Sequence, residues 1–565
     1  MNIKEKIKEI IEKSIDQKVD FSVEIPAEKS HGDYSTNVAL ILAKKENKNP
    51  KEIAKLIKEN LELFPPPCAP ALGWGKIEVA GPGFINIFIS KEVIVENLKK
   101  IDKSFGKNTE LKNQKIIIDY TDPNPFKEFH IGHLMSNAIG ESLSRIFEAQ
   151  GAKVKRVCYQ GDVGMHVAKA IWGKIKDNKK TWGEAYALGA AAFEENEEAK
   201  KEIKELNKKI FERTDKKINK LYDEGKKESL ADFDKIYKKL GTKFDWLIFE
   251  SETGPVGKNI VKKGLKEGVF EKGENGAIIF KGEKYGLHTR VFINSESLPT
   301  YEAKDLGLAK IKYKKYAYDQ SVVVTGNEIN EYFKVMLCAL KQISPKLAER
   351  TKHIGHGMMR LPEGKMSSRT GKVITGESLI EKVQEMVLEK ISAKGGPASG
   401  GKDFLEKEKQ HITEKVAIGA IKYSVLKQSA GSDIIYDFDK SISFDGDSGP
   451  YLQYAYARAS SVLEKAKKEG IKASFAKVSV ELSQLEKSII HFPEIVLKAG
   501  KEYEPHFLVL YLTELAGVFN NYYAKNKIVD KADKFSPYKV ALTKVFCQIM
   551  KNGMQMLGIE TLNKM

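Results

Sequence analysis

The stretch KIIIDYTDPNPFKEFHIGHLMSNAIGESLSRIFEAQGAKVKRVCYQ, residues 115 to 160, decides the fold. It opens on a short apolar run, KIIIDY (115–120), that predicts a strand. A polar proline loop leads into LMSNAIGESLSRIFEAQG (134–151), where Ile139, Leu143, Ile146 and Phe147 recur at helical spacing as a buried stripe and Gly151 ends the helix. KVKRVCYQ (153–160) reads as a second strand. Strand, helix and strand in this order form a βαβ unit. The sheet is therefore expected to be parallel, with its ligand at the carboxyl ends of the strands.

Outward from this unit, α/β alternation resumes at SVVVTG (321–326), the helix NEYFKVMLCALKQI (330–343) and GHGMMRL (355–361). Between them, about 180–300 reads as an insertion: Lys/Glu-rich and helical to about 240, then short strands over 268–300. Ahead of the unit, residues 1–105 read as a small N-terminal α+β domain. Ile3, Ile7, Ile10, Ile11 and Ile15 make one stripe of an amphipathic helix, expected to pack on the strand-like run GFINIFI (83–89). Residues 106–390 make the parallel-sheet domain. The Gly/Ser-rich segment 391–404 reads as a flexible linker, and 405–565 as an all-helical domain.

The 565 residues suit three or four domains at about 150 each. The excess of 94 Lys+Arg over 77 Asp+Glu leaves +17 on a surface of mixed sign, which fits a globular protein with a polyanionic partner, nucleic acid first. Cysteines 68, 158, 338 and 547 form no CxxC pair, so neither a disulfide framework nor structural zinc is indicated and a reducing compartment is expected. No apolar run approaches the roughly 18 residues of a membrane span. The opening MNIKEKIKEIIEKSID mixes acids and lysines instead of offering a secretory h-region. A soluble, cytoplasmic protein with no membrane partner is expected.

Several short patterns are decoys. TGPVGKN (253–259) fails as a phosphate loop, because Glu252 and Asn259 stand where Gly and Ser/Thr are required. His130 and His133 make a weak zinc pair with no thiolate and no HExxH spacing. The tetrapeptide HIGH occurs twice, at 130–133 and 353–356. The first copy opens a helix after a strand and a loop, where free N–H groups and the helix dipole favour phosphate; Gly132 there leaves room for a ring to approach the backbone. The second leads into an apolar run that reads as a strand, so its histidines are expected to pack or cap. Downstream lies GKMSSRTG (364–371), a loop with a methionine between cations and hydroxyls.

The pairing of DPNPFKEFHIGHL with GKMSSRTG resembles the HIGH and KMSKS signatures of class I aminoacyl-tRNA synthetases, and the first resembles the arginyl-tRNA synthetase form in particular. EIPAEKSHGDYSTNVA and AGPGFINI near the start, YQGDVG after the second strand, FDGDSGPYLQYAYAR beyond the linker and LGIETLNKM at the end extend the resemblance over most of the chain. It implies a Rossmann-like catalytic domain between an N-terminal domain that binds the tRNA elbow and a helical anticodon-binding domain. It implies an enzyme that joins L-arginine to tRNA(Arg) with ATP, magnesium on the phosphates, and activation that needs bound tRNA. A monomer is expected. His130, His133, Lys127 and Lys365 are the expected catalytic residues. Gly132, Met366, Ser367, Ser368 and Arg369 are expected on ATP.

An arginine guanidinium, always charged and donor-only, needs carboxylates and carbonyls. Asp119 ends the first strand, Asp122 and Asn124 sit in the loop, and Tyr301 and Asp305 share a face if 301–309 is helical. The resemblance assigns arginine binding to these five positions, and places Gly161 and Asp162 near the α-amino group or ribose. Three departures stand out. Ile329, or Glu328 in a shifted register, stands where the family commonly has Gln. Arg369 follows Ser368 where KMSKS has its second lysine. The chain ends Asn563-Lys564-Met565 where the family often has Glu-Arg-Met. Tyr454, Tyr456, Arg458, Tyr522, Tyr523 and Met565 are the tRNA-contact candidates of the helical domain. The alternatives are a class I synthetase for another amino acid, or a catalytically silent synthetase-like RNA-binding protein. Cysteine would call for a metal set that is absent, and glutamate for cations in the pocket.

Overall fold

The computed structural model describes residues 3–15, 17–63, 73–360, 375–392, 406–478 and 481–565. The chain begins with helix α1 (Ile3–Ser14), short strands β1 (Val23–Glu24) and β2 (Tyr34–Thr36), helices α2 (Val38–Glu46) and α3 (Pro50–Leu63), strands β3 (Trp74–Ala80) and β4 (Phe84–Ile89), and helix α4 (Lys91–Lys99). The strands form one antiparallel sheet in the order β1-β2-β4-β3. Ile3, Ile7 and Ile11 are buried as the helical spacing requires, but α1 lies chiefly against α3 and β1 rather than on β4. The turn into β4 uses Gly83 at φ +137°, where a Cβ would press to 2.9 Å from Pro50.

The centre is a five-stranded, all-parallel sheet. Its strands are β5 (Lys115–Asp119), β6 (Lys153–Gln160), β7 (Trp246–Phe249), β11 (Gln320–Gly326) and β12 (Thr351–His356), in the order β12-β11-β5-β6-β7. The order reverses between β5 and β11, and the crevice at the carboxyl ends of strands flanking such a switch point is where open α/β sheets bind ligands. Helix α5 (Ile131–Ala149) connects β5 to β6, and α6 (Met165–Lys176), α7 (Trp182–Glu195), α8 (Glu197–Glu212) and α9 (Lys216–Leu240) form an excursion between β6 and β7. After β7 come α10 (Glu250–Lys266), an antiparallel three-stranded sheet β8 (Glu271–Lys272), β9 (Ile278–Phe280) and β10 (Arg290–Ile293), and α11 (Tyr301–Lys315). The stretch 180–300 is thus not one insertion, because Trp246–Phe249 returns to the main sheet as its edge strand.

Helix α5 was expected to bury one stripe and instead is buried nearly all round, including Ser136, Asn137, Glu141, Ser142 and Ser144. The sheet covers one side and helices from the C-terminal half cover the other. Glu141 is paired within the core: Tyr120 Oη donates to it at 2.6 Å, and Arg145 and Arg156 reach the same carboxylate at 2.7 and 3.0 Å. Gly140 lets the helix press onto the Tyr120 ring, which an added Cβ would meet at 2.2 Å.

Helices α12 (Asn330–Ile343) and α13 (Pro345–Glu349) connect β11 to β12, and short β13 (Met359–Arg360) follows. Helix α14 is Gly376–Ser392 and α15 is Glu406–Leu426. Strand β14 (Ile434–Ile435) pairs in parallel with β13, so the part beyond residue 405 is not helical throughout. Helices α16 (Phe438–Ser441), α17 (Gly449–Lys468), α18 (Gln484–Ile489), α19 (Phe492–Glu502), α20 (His506–Lys525) and α21 (Ser536–Met556) complete a helical C-terminal domain. Polar contacts tie it to the rest. Arg145 of α5 donates to Gln555 O and Gly241 O at 3.0 and 2.9 Å. Lys422 of α15 donates to Leu240 O and Gly558 O at 2.6 and 2.7 Å. Tyr34 donates to Glu494 at 2.6 Å. Two helix C-termini, those of α9 and α21, thus have late carbonyls capped by cations, where the helix dipole favours positive charge.

Candidate active site at the sheet switch point

The loop from β5 to α5 is held in a conformation that its residues would not adopt alone. Thr121, Asp122 and Phe126 have φ of +82°, +46° and +69°, each costing on the order of 1–3 kcal/mol unless neighbours enforce it. Three elements do so. Thr121 N donates to Ser136 Oγ of α5 at 2.9 Å, Phe126 N to Ser229 Oγ of α9 at 3.0 Å, and the Asp122 carboxylate accepts from Tyr159 N of β6 at 2.7 Å. Asn124 Oδ1 accepts from Gly161 N at 3.0 Å, an approach that a Cβ on Gly161 would block.

Beside this loop lies a cavity of about 340 Å³. Asp119, Asp122, Asn124, Gly161, Tyr301, Asp305 and Ile329 all line it, with Tyr159, Glu250, Lys312, Tyr332 and an apolar wall that includes Leu308, Val323 and Met336. Asp305 accepts a hydrogen bond from Tyr332 Oη. Tyr301 stands at the rim, 59% exposed, with its ring 4.9 Å from the Lys304 ammonium. Of the two neighbours Glu328 and Ile329, Ile329 lines the cavity.

The cavity concentrates carboxyl groups. Removal from water pushes the Asp305 carboxyl up to about 7, with repulsion from Glu250 and Asp119 adding and the Tyr332 hydroxyl opposing. Burial likewise raises Asp119 against the pull of Lys312, and raises Asp122 well above the carboxylate range with Asp119 as its repulsive neighbour. Glu250 is raised by burial against the pull of Lys304, whose ammonium lies 2.5 Å away. Carboxyls held this high gain most from a cationic ligand, which restores the ionised form.

Next to the cavity the first HIGH copy caps α5. His130 is the N-cap, and its backbone N–H donates to His133 Nδ1 at 3.1 Å. Because Nδ1 accepts, the neutral His133 ring carries its proton on Nε2, which makes Nε2–H the donor left for a ligand. The two rings stack with centroids 3.6 Å apart. Loss of solvent pushes His130 down to about 4, and Lys127 and His356 add repulsion; His133 is lowered well below the usual value by the same causes, with His130 foremost among the charges. Burial lowers the Lys127 ammonium, which sits 4.7 Å from the Tyr186 ring of α7. A Cβ on Gly132 would meet the His130 ring at 3.0 Å.

Lys365, Met366, Ser367, Ser368 and Arg369 lie outside the described residues, but the chain on their far side is anchored at the histidines: His130 bridges Thr375, and Gly376 N donates to Phe129 O at 2.6 Å. The second HIGH copy is strand β12. His353 stacks on Phe333 at 3.8 Å and bonds Thr325 Oγ1 at 2.7 Å through Nε2, while buried His356 bonds Gly357 O at 2.7 Å through Nδ1. Asp162 is not in the cavity. Its carboxylate accepts from Tyr222 Oη at 2.7 Å, Lys226 Nζ at 2.8 Å, and Ser251 N and Oγ at 2.8 and 2.6 Å, a buried tie between α9 and the start of α10 directly behind Gly161.

With this geometry in hand, comparison with known proteins is direct. The model for "tRNA synthetases class I (R), catalytic domain" matches residues 94–438, that for "Arginyl tRNA synthetase N terminal domain" matches 1–89, and that for "DALR anticodon binding domain" matches 452–565. The chain belongs to the arginyl-tRNA synthetase family. An arginine–tRNA ligase of Borrelia garinii subsp. bavariensis is 32% identical over 87% of each chain, and one of Fusobacterium nucleatum subsp. nucleatum is 30% identical over 96% of this chain and 95% of its own. The solved arginyl-tRNA synthetase of Thermus thermophilus superposes with a TM-score of 0.81 at 21% identity over all of both chains. That of Plasmodium falciparum gives 0.79 at 22% over 100% of this chain and 99% of that one.

In this member of the arginyl-tRNA synthetase family the helical-domain candidates divide. Arg458 lies over the Tyr454 and Tyr523 rings at 4.6 and 5.4 Å and donates to Asn520 at 2.7 Å, making one partly exposed cluster. Tyr456 and Met565 are buried in the domain core and Tyr522 is half-buried against it, so these three do not join that cluster. Sequence reasoning missed Tyr159, Glu250, Lys312 and Tyr332. Lys312 had a signal: it continues the stripe Tyr301, Asp305, Leu308 along α11 at helical spacing. Tyr332 lies one helical turn beyond Ile329.

Proposed function

We propose that this chain is an arginine–tRNA ligase that activates L-arginine with ATP and transfers it to the 3′ end of tRNA(Arg). The observation that carries the reading is the cavity at the β5–β11 switch point, where Asp119, Asp122, Glu250 and Asp305 meet beside the His130–His133 helix cap. In the first step an oxygen of the arginine carboxylate forms a bond to the α-phosphorus of ATP and the bond to the β-phosphate oxygen breaks, releasing pyrophosphate. In the second, a terminal ribose hydroxyl attacks the arginyl carbonyl and AMP leaves. Charge builds on phosphate oxygens, so positioning and preorganised donors supply the rate. His133 Nε2–H, His130, Lys127 and the α5 N-terminus are the donors beside the cavity. Magnesium is read as accompanying the ATP phosphates. Lys365 to Arg369 join the site in this reading on the strength of the sequence motif. The elbow of tRNA is assigned to residues 1–105 and its anticodon to the C-terminal helices, with Tyr454, Arg458 and Tyr523 as the contact candidates.

Pyrophosphate exchange measured with each amino acid, with and without tRNA, tests the reading. Exchange with arginine in the presence of tRNA is expected; exchange driven by another amino acid instead, or none with arginine and tRNA, overturns it. Asp305→Asn is expected to raise the arginine KM by about tenfold to a hundredfold, the worth of a hydrogen bond to a charged group, and to leave the ATP KM close to wild type. Because Asp305 must be ionised to hold a guanidinium and stands at about 7, the wild-type arginine KM is expected to fall as pH rises from 6 to 8.

A further inference from the structure

We propose that Lys312, a residue outside the sequence-derived site, is a positioning residue that holds Asp119 ionised with one carboxylate oxygen so that the other is presented to the substrate's cationic side chain. The inference rests on the ligase reading above and deepens it. Lys312 Nζ lies 3.1 Å from Asp119 Oδ2, with side chains only 3% and 1% exposed, and both residues line the cavity. Asp119 Oδ1 is buried and has no hydrogen-bond partner among the described residues. An acceptor left unpaired in a native core costs about 1–3 kcal/mol, which a ligand supplying a donor would recover. The pairing is therefore asymmetric: Oδ2 is spent on an internal cation and Oδ1 is left for an external one.

The surroundings explain why an internal cation is needed. Asp119 faces Asp305 and Lys312 on α11, Asp122 in the loop, and Cys158 and Tyr159 on β6; Glu250 and Tyr332 lie beyond Asp305. Apart from Lys312, every titratable group in this set is an acid or neutral. Burial drives Asp119 toward its protonated form, and Lys312 is the one group in this set whose charge draws it back. A protonated Asp119 would offer the substrate a hydroxyl and a neutral carbonyl in place of a charged acceptor. Lys312 also fixes the rotamer of Asp119, so the free oxygen keeps a defined direction.

The test is the arginine KM across pH 6 to 9 in arginine-dependent pyrophosphate exchange, with the ATP KM followed in parallel. Lys312→Met is expected to raise the arginine KM roughly tenfold to a hundredfold at pH 7 and to recover part of it as pH rises, because Asp119 then ionises at a higher pH than in wild type. Lys312→Arg keeps a cation against Asp119 and is expected to retain the wild-type profile. Asp119→Asn is expected to show the loss with no recovery beyond the fall in KM that Asp305 gives the wild type, and keeps the proposal falsifiable if Lys312→Met does not fold. An unchanged arginine KM in Lys312→Met, equal increases for arginine and ATP with the wild-type pH dependence, or a recovery at high pH in Asp119→Asn larger than the wild-type fall each overturns the proposal while leaving the ligase reading intact. A wild type without arginine exchange overturns both.

Discussion

The tetrapeptide His-Ile-Gly-His stands at 130–133 and again at 353–356, and the two copies share almost nothing but their letters. The first crosses into the N-terminus of α5, so its two rings fall on one side, stack at 3.6 Å and face Lys127 beside the cavity. The second is extended as β12, and its polar groups are spent on the fold: His353 on Thr325 and Phe333, His356 on Gly357 O. A helix N-terminus leaves backbone donors and a ring N–H for a ligand. The edge strand β12 has no such terminus at its histidines: its backbone pairs with β11, and the His353 and His356 rings are already bonded within the fold. The difference teaches that a four-residue signature acquires chemistry from the element it opens.

The comparison can be broken or sharpened by experiment. His133→Ala is expected to have the largest effect, lowering the exchange rate by about 10²–10³ as for loss of one preorganised donor to a developing oxyanion, with thermal stability changed little. A rate loss of that size from His356→Ala alone would break the assignment. His353→Ala is expected to do the reverse, costing about 1–3 kcal/mol of stability through the lost Phe333 stack and Thr325 bond, read by denaturant unfolding, while the arginine and ATP KM stay close to wild type. The two glycines sharpen the contrast. Gly132→Ala sets a Cβ 3.0 Å from the His130 ring and is expected to lower exchange several-fold, whereas Gly355→Ala sets one 2.1 Å from Asn330 Oδ1 and is expected to lower stability by about 1 kcal/mol.

Acidification should separate the copies least. Loss of solvent pushes both His130 and His353 down to about 4, below the roughly 6.5 of an unfolded chain. The unfolded state then binds more protons, so stability is full above about pH 6.5 and is lost as pH falls toward 4. His130→Gln and His353→Gln are each expected to make thermal unfolding less sensitive to pH between 7.5 and 4.5. His130 is the more exposed of the two, so the smaller change is expected in His130→Gln; a larger change there than in His353→Gln would overturn that order.

Much of this was legible beforehand because it rests on short-range periodicity. The apolar run 115–120, the helical stripe of α5 and the strand 153–160 carry their periods within the sequence, and the parallel sheet follows from their order. Tyr301 and Asp305 were legible as one helical face. Lys312, farther along that stripe, was passed over because a lysine is ordinarily solvated, and only the closeness of Asp119, 193 residues earlier, makes its burial tolerable. Strand β7 was missed because four apolar residues after a long lysine-rich helix carry no period of their own. The partners of Asp162 were illegible for a like reason: Tyr222, Lys226 and Ser251, which hold its carboxylate, lie 60 or more residues away in sequence.

By itself the sequence determined the parallel sheet, the family and the residue types of the site, because strand and helix periods and motif spacings are local quantities that one chain carries intact. Only the tertiary structure decided which acids face one cavity, which histidine pair caps a helix beside it, and which lysine is an internal counter-ion. Those depend on charges and donors brought together from distant parts of the chain, where loss of water makes each unpaired group costly and so selects its partner.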